Sequence, residues 1–198
     1  MTQPHTSANG ALQTRRALRK TLLDLRRNAS ASQREQWDYR IGQQLLAWCQ
    51  QHRPASLGLF WPIQDEPDLR DTYPLLQQMG IQLALPLVVG QALPLVFLKW
   101  KLGDAMSADD YGIPVPARRE CETQPQVLLI PCVGFTVDYF RMGYGGGYYD
   151  RTLASQPRPL ALGVAYSQAQ TTFEVAAHDI AMDTILTELS ELNPTQNT

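Results

Sequence analysis

No apolar run in this sequence reaches membrane-spanning length, and Met1 to Gly10 is polar, without the apolar core of a signal peptide. A membrane protein is therefore not expected, and a cytoplasmic one is. Cysteine and histidine are scarce, at three residues each. Cys49, Cys121 and Cys132 show neither paired nor metal-ligand spacing, so a disulfide framework and a zinc site are both excluded. Cys132 in an apolar run and Cys49 beside helix-core positions read instead as buried thiols in a reducing compartment. His5, His52 and His178 are too scattered for a metal cluster, and no Ser/His/Asp arrangement is legible. An excess of one charge is also missing. Seventeen Lys/Arg against nineteen Asp/Glu leave a net charge of −2, which gives no whole-chain attraction for nucleic acid or anionic membrane. There is no internal repeat and no low-complexity segment.

What is present is enough for one well-filled domain: 198 residues, 44% of them hydrophobic. That domain is expected over residues 11–190, between disordered tails at 1–10 and 191–198. Charge is unevenly spread. Residues 1–40 carry eight Lys/Arg and three acids, so an anion would be drawn to the N-terminal region.

From Ala11 to about Arg27, Leu18, Leu22 and Leu25 recur at helical spacing. Arg15, Arg19 and Arg26 fall beside that stripe, whereas Arg16, Lys20 and Arg27 point further into solvent. Ser32-x-x-Glu35 predicts a capping box opening a second helix, with Trp37, Ile41, Leu45 and Trp48 inward and an end near His52. Short strands are predicted at Ser56–Phe60, Ile81–Leu85, Leu93–Trp100, Val127–Val133 and Leu160–Tyr166, with a last one near Ile185. Leu93–Trp100 stands outside the parallel order, and residues 101–125 read as mostly loop. A helix from Leu69 to Met79 is made irregular by Pro74. Apolar strands without polar alternation, separated by helices, imply a sheet covered on both faces. The fold expected is therefore α/β and three-layered, Rossmann-like, with a mostly parallel central sheet and ligands at the strands' carboxyl ends.

The densest signal is Arg141-Met-Gly-Tyr-Gly-Gly-Gly-Tyr-Tyr-Asp-Arg151, a glycine-rich turn after the most apolar run and before a helix start at Tyr148. Glycines there let backbone N–H groups approach an anion without Cβ atoms in the way. The loop has no Lys-Ser/Thr pair after its last glycine, and its glycines are too closely packed for a dinucleotide fingerprint. Asp150 is either a carboxylate for a metal or an acid favoured by the first turn of a helix. Asp179 and Asp183 are likewise either ligands or a solvated acidic face. Glu66 follows a buried strand, where an acid accepts hydrogen bonds from an amino-heterocycle or is ordinary loop charge.

Together these residues resemble the 5-formyltetrahydrofolate cyclo-ligase family, from about Thr14 to Glu188. The resemblance centres on Gly134-Phe135 followed by the glycine loop. It is flanked by the basic opening Arg15-Arg-Ala-Leu-Arg19 and by His178-Asp-Ile-Ala-Met-Asp-Thr-Ile-Leu-Thr-Glu188. Two departures stand out. Thr136 occupies the place of an Asp in the family pattern, and Tyr139 by spacing the place of a turn glycine; Asp138 is the nearest acid that would substitute.

The resemblance implies ATP binding by Arg15, Arg16, Ala17, Leu18 and Arg19, and by Arg141, Met142, Gly143, Tyr144, Gly145, Gly146, Gly147, Tyr148 and Tyr149. It implies folate contacts from Trp61, Glu66 and the loop tip, Tyr144 to Tyr148, and Mg²⁺ at Asp150 and Asp183. Arg141 and Tyr148 are the residues assigned to the chemistry, Arg141 as the cation that stabilises phosphate charge. The implied enzyme is a monomer acting on small molecules, with no nucleic-acid or membrane partner. Its reaction converts 5-formyltetrahydrofolate and ATP to 5,10-methenyltetrahydrofolate, ADP and phosphate. Two other readings remain at this point. One is a non-catalytic folate- or nucleotide-binding relative. The other is an RNA-binding module working through the first helix, which its lack of interleaved aromatics disfavours.

Overall fold

The structure, a computed structural model, describes residues 8–189 and 191–192, with side chains from Thr14 to Leu189. Of the expected tails, 1–7 and 193–198 lie outside the described residues. Residues 8–10 belong to the first helix and 191–192 form a strand.

Helix α1 (Ala8–Asn28) buries Leu22 against Val133 and Met142, with Leu18 and Leu23 packed at the margin. Leu25, expected in the apolar stripe, is 39% exposed, and Arg26 is buried in its place. Residues 18, 22 and 26 lie at i, i+4 and i+8, so one face continues into a cation. Helix α2 (Ala31–His52) opens two residues earlier than expected. The Ser30 hydroxyl accepts from the Gln33 N–H and the Gln33 amide oxygen accepts from the Ser30 N–H. Ser30-x-x-Gln33 is thus the capping box, while Ser32 and Glu35 sit exposed within the helix. The helix closes on Arg53 in the left-handed conformation, ahead of Pro54.

Strand β1 (Ser56–Gly58) leads through the loop 59–69 and a 3₁₀ turn to helix α3 (Tyr73–Gln78), whose start Pro74 can occupy because its missing N–H has no helical acceptor there. Strands β2 (Gln82–Leu87) and β3 (Val96–Trp100) follow, the second antiparallel to the first as its position outside the parallel order required. The segment read as loop carries three short strands, β4 (Met106–Ala108), β5 (Pro114–Pro116) and β6 (Glu122–Thr123). Their prolines and exposed residues hide a strand signal that only pairing supplies. Strand β7 (Val127–Pro131) is buried at every position.

The glycine loop does not follow β7 directly. A small hairpin, β8 (Gly134–Phe135) and β9 (Arg141–Met142), intervenes before helix α4 (Tyr148–Leu153). Strands β10 (Leu160–Val164), β11 (Thr184–Leu186) and β12 (Glu191–Leu192) complete the chain.

The main sheet runs β12-β11-β10-β7-β1-β2-β3-β6. β11, β10, β7, β1 and β2 are parallel, β12 and β3 are added antiparallel at the two sides, and β6 pairs antiparallel with β3. Alternation along β7 divides the core. Val127 and Leu129 face the cluster under α2 and α3, while Leu128 and Ile130 face the cluster that includes Leu153 of α4. The chain runs from β1 to β2 on one side and reaches β7 on the other. The crevice at the carboxyl ends of β1 and β7 is therefore the topological switch point, where open α/β sheets bind ligands.

Candidate active site

Two loops meet in that crevice. The one after β1 carries Trp61 and Glu66. It turns on Gln64 and Asp65, both with positive φ (48° and 58°), and closes with the Glu66 N–H donating to the Ile63 carbonyl at 2.9 Å. Non-glycine residues rarely adopt that conformation, and the turn persists because the Glu66 carboxylate accepts the Ile63 N–H, also at 2.9 Å. Glu66 is 5% exposed. Burial pushes its carboxyl up to about 7, offset in part by the Ile63 N–H, the Tyr144 hydroxyl and the positive charge of Arg26. Trp61 packs edge-on against Trp100, with the Arg70 guanidinium over its ring.

The second loop follows β7 and its hairpin. The turn from Thr136 to Phe140 explains both departures from the family pattern. Tyr139 has φ 67°, the conformation that glycine adopts without strain. The Thr136 hydroxyl accepts the Phe140 N–H at 3.2 Å, so it closes the turn in the way an Asp side chain would. Asp138 is exposed and is not the substitute. Arg141 then returns onto β9 and binds Asp150 of α4, Nη1 to Oδ1 and Nη2 to Oδ2, each at 3.0 Å. Asp150 also accepts from the Ile180 N–H at 3.2 Å.

Beyond Met142 the glycine loop is open. Gly145 and Gly147 have φ of 99° and 65°. Among the described residues, no acceptor within the chain takes the N–H groups from Gly143 to Gly147. Helix α1 supplies the cations. Arg19 donates to the Gly143 carbonyl at 2.7 Å, and a Cβ on Gly145 would lie 3.5 Å from its guanidinium. Burial and the neighbouring Arg15 lower its pKa, though it stays cationic. Arg15 pairs with Asp179 at 2.9 Å. Arg16, Ala17 and Lys20 are exposed, and Leu18 is half-buried. Tyr149 lies under the Arg141 guanidinium, and the Tyr148 hydroxyl meets that of Tyr111 at 2.9 Å.

The acidic C-terminal segment divides. Asp179 is no solvated acid, because its side chain is buried and accepts from Arg15 and the Ala176 N–H. Asp183 accepts the Ala161 N–H at 2.7 Å and both oxygens meet Arg158. It lies where β10 and β11 begin, about four residues or 13 Å of strand from the level of Cys132. Asp150 and Asp183 thus take separate partners and are not gathered on a common group. Among the described residues no three His, Cys, Asp or Glu side chains form a metal-holding cluster.

A cleft of about 1130 Å³ opens beside Glu66, between α2 and the loop after β1. It is lined by Glu35, Asp38, Asp65, Glu66, Asp68 and Asp71 against Arg34, Arg40 and Arg70. That balance does not favour phosphates. Sequence reading missed Arg26, which is buried at the end of α1 and points between the two loops. Its only sequence signal was its place beside the Leu18–Leu22 stripe.

The family model for 5-formyltetrahydrofolate cyclo-ligases matches residues 11–188. The chain belongs to that family. Among curated cyclo-ligases, the Mycoplasma pneumoniae protein is 28% identical over 176 residues, covering 87% of this chain and 97% of its own. The Haemophilus influenzae cyclo-ligase is 26% identical over 165 residues, with 80% and 88% covered. Two solved structures of 5,10-methenyltetrahydrofolate synthetases share the fold. The Aquifex aeolicus structure has a TM-score of 0.76 at 26% identity, covering 93% of this chain and 94% of its own. For the M. pneumoniae structure the TM-score is 0.71 at 26% identity, with 88% and 98% covered. The three-layered, mostly parallel α/β architecture expected from the apolar strands is therefore the architecture present.

Proposed function

We propose that this chain converts 5-formyltetrahydrofolate and ATP to 5,10-methenyltetrahydrofolate, ADP and phosphate in a Mg²⁺-dependent reaction. The observation that carries the reading is a convergence. An open glycine loop, the α1 arginines and the buried Glu66 meet at the switch point of a cyclo-ligase fold.

In this reading the N–H groups of Gly143 to Gly147 and the Arg15 and Arg19 guanidiniums receive the ATP phosphates. Glu66 accepts hydrogen bonds from the folate's amino-heterocycle, with Trp61 beside it. The formyl oxygen attacks the γ-phosphorus, ADP leaves, and an imidate-like phosphate forms. N10 then adds to the activated carbon, and the C–O bond breaks with loss of phosphate and closure of the ring. Positioning and charge neutralisation supply most of the rate, as in other phosphoryl transfers. Arg141 is the cation for the transferring group, and Tyr148 closes the loop over it. Because Asp150 neutralises Arg141 here, the nucleotide must compete with Asp150 for that guanidinium.

Mg²⁺ would enter with the nucleotide and neutralise phosphate charge. Asp150 fits it, since its partly exposed carboxylate retains lone pairs beyond those used by Arg141 and Ile180. Asp183 would act as a ligand only after releasing Arg158. A monomeric cytoplasmic enzyme without nucleic-acid or membrane partners belongs to the same reading; among the described residues no helix is long and apolar enough to cross a membrane.

The test is formation of 5,10-methenyltetrahydrofolate, followed by absorbance in acid, from 5-formyltetrahydrofolate with and without ATP and Mg²⁺. Retained folate binding without turnover would identify a non-catalytic relative instead.

A further inference from the structure

Arg26 is 4% exposed, and among the described residues it has no carboxylate within ion-pair distance. Burying a guanidinium without such a partner is costly unless its N–H groups are well used. Two of them are. Nη2 donates to the Cys132 carbonyl at 2.6 Å, just past the end of β7, and Nη1 donates to the Tyr144 hydroxyl at 3.1 Å. The Tyr144 hydroxyl is near enough to the Glu66 carboxyl for each to shift the other's protonation, and through Arg26 the phenol ties the glycine loop to helix α1 and the end of β7.

Arg19 and Arg26 are seven residues apart, two helical turns, and so share a face of α1 about 10 Å apart along its axis. Arg19 holds the loop through the Gly143 carbonyl, and Arg26 holds it through the next side chain, Tyr144. Beyond those adjacent anchors the loop is Gly145-Gly146-Gly147 and has little intrinsic conformational preference.

We propose that Arg26 is a positioning residue for the folate half of the site. It acts through Tyr144, pinning the loop tip against the end of β7 and holding that phenol beside Glu66. This rests on the placement of the folate at Glu66 proposed above. Arg26 itself need not touch substrate. Loss of its grip frees the tip on the folate side, while Arg19 still holds the side assigned to ATP.

The experiment is a double-mutant cycle on the full chain with Arg26→Met, Tyr144→Phe and both, reading KM for each substrate, kcat and Tm. Arg26→Met should raise the folate KM about tenfold and leave the ATP KM within about twofold, and the double variant should be no worse than Arg26→Met alone. Arg26→Lys, which keeps the charge but not the fork, should fall between wild type and Arg26→Met. If Arg26→Met does not fold, the same cycle is run with Arg26→Lys. Multiplying effects in the cycle, or an unchanged folate KM in a folded Arg26→Met, would overturn the role. Glu66→Gln separates the two levels. If it raises the folate KM while the cycle is multiplicative, only the Arg26 role falls; if it leaves the folate KM unchanged, the folate placement falls and takes the Arg26 role with it.

Discussion

Arg141 grips Asp150 through both guanidinium nitrogens, each 3.0 Å from a carboxylate oxygen, with side-chain exposures of only 5% and 17%. The pair joins β9 to α4 across the glycine loop. Asp150 is therefore a structural partner as well as a candidate for Mg²⁺. Asp150→Asn should lower stability by about 3 kcal/mol, because it leaves a buried guanidinium unpaired. Adding Arg141→Gln should restore much of that stability in denaturant titration, yet leave turnover at least as impaired. Recovered turnover in the double variant would show that neither residue takes part in the chemistry.

Glu66 gives the fold a pH dependence of unusual sign. Burial raises its carboxyl from 4.5 to about 7, so across that window the folded chain holds a proton that the unfolded chain has released. Its contribution to stability is full below about pH 4.5 and falls by about 3 kcal/mol as the pH rises to about 7. Asp38, half-buried and bonded to the Tyr166 hydroxyl, is raised to about 6 by desolvation and acts in the same direction at lower pH. Glu66→Gln should flatten the fall in Tm between pH 5 and 7, and Asp38→Asn should flatten only its lower part. An unchanged profile in Glu66→Gln would mean that the carboxyl titrates normally.

The α1 cations should separate by face. Arg19→Ala should raise the ATP KM about tenfold with little change in Tm, since among the described residues its one hydrogen bond is to the Gly143 carbonyl. Arg15→Ala should raise the ATP KM and also lower Tm, because it strands the buried Asp179. Lys20→Glu, on the exposed face, should leave the ATP KM within about twofold. Steady-state kinetics on the three variants check the ordering.

Tyr139 carries a backbone cost. At φ 67° a Cβ is strained, so Tyr139→Gly should be more stable than Tyr139→Ala by about 1 kcal/mol. Both lose the same half-buried ring, and comparing these two variants cancels that loss. Equal stabilities in chemical denaturation would remove backbone strain as the meaning of this position.

Much of the site could be read in the sequence because its parts are local. Gly145 and Gly147 announce positive φ by being glycine, and Arg15 and Arg19 declare their face by their spacing from Leu18 and Leu22. The strands of the parallel sheet were legible as apolar runs, with β7 the clearest. Signals failed where a short segment depends on its partner. The strands β4 to β6 sit among prolines and polar residues, and β8–β9 is a hairpin of two-residue strands closed by Thr136 and Tyr139. The capping box was misplaced because Ser30-x-x-Gln33 and Ser32-x-x-Glu35 are equivalent as patterns, and only the helix start distinguishes them.

The sequence by itself determined the fold class, the family and the glycine-rich loop, because each rests on periodicity or on residue types in a short run. Tertiary structure alone decided which side chains share a partner. It bound Asp150 to Arg141, tied Asp183 to Arg158 rather than to Asp150, and turned Asp179 from a surface acid into a buried anchor for α1. It also buried Arg26 between Tyr144 and Cys132. Those pairings join residues as many as 164 positions apart, and a one-dimensional pattern holds no information about the angles at which helices and loops bring such residues together.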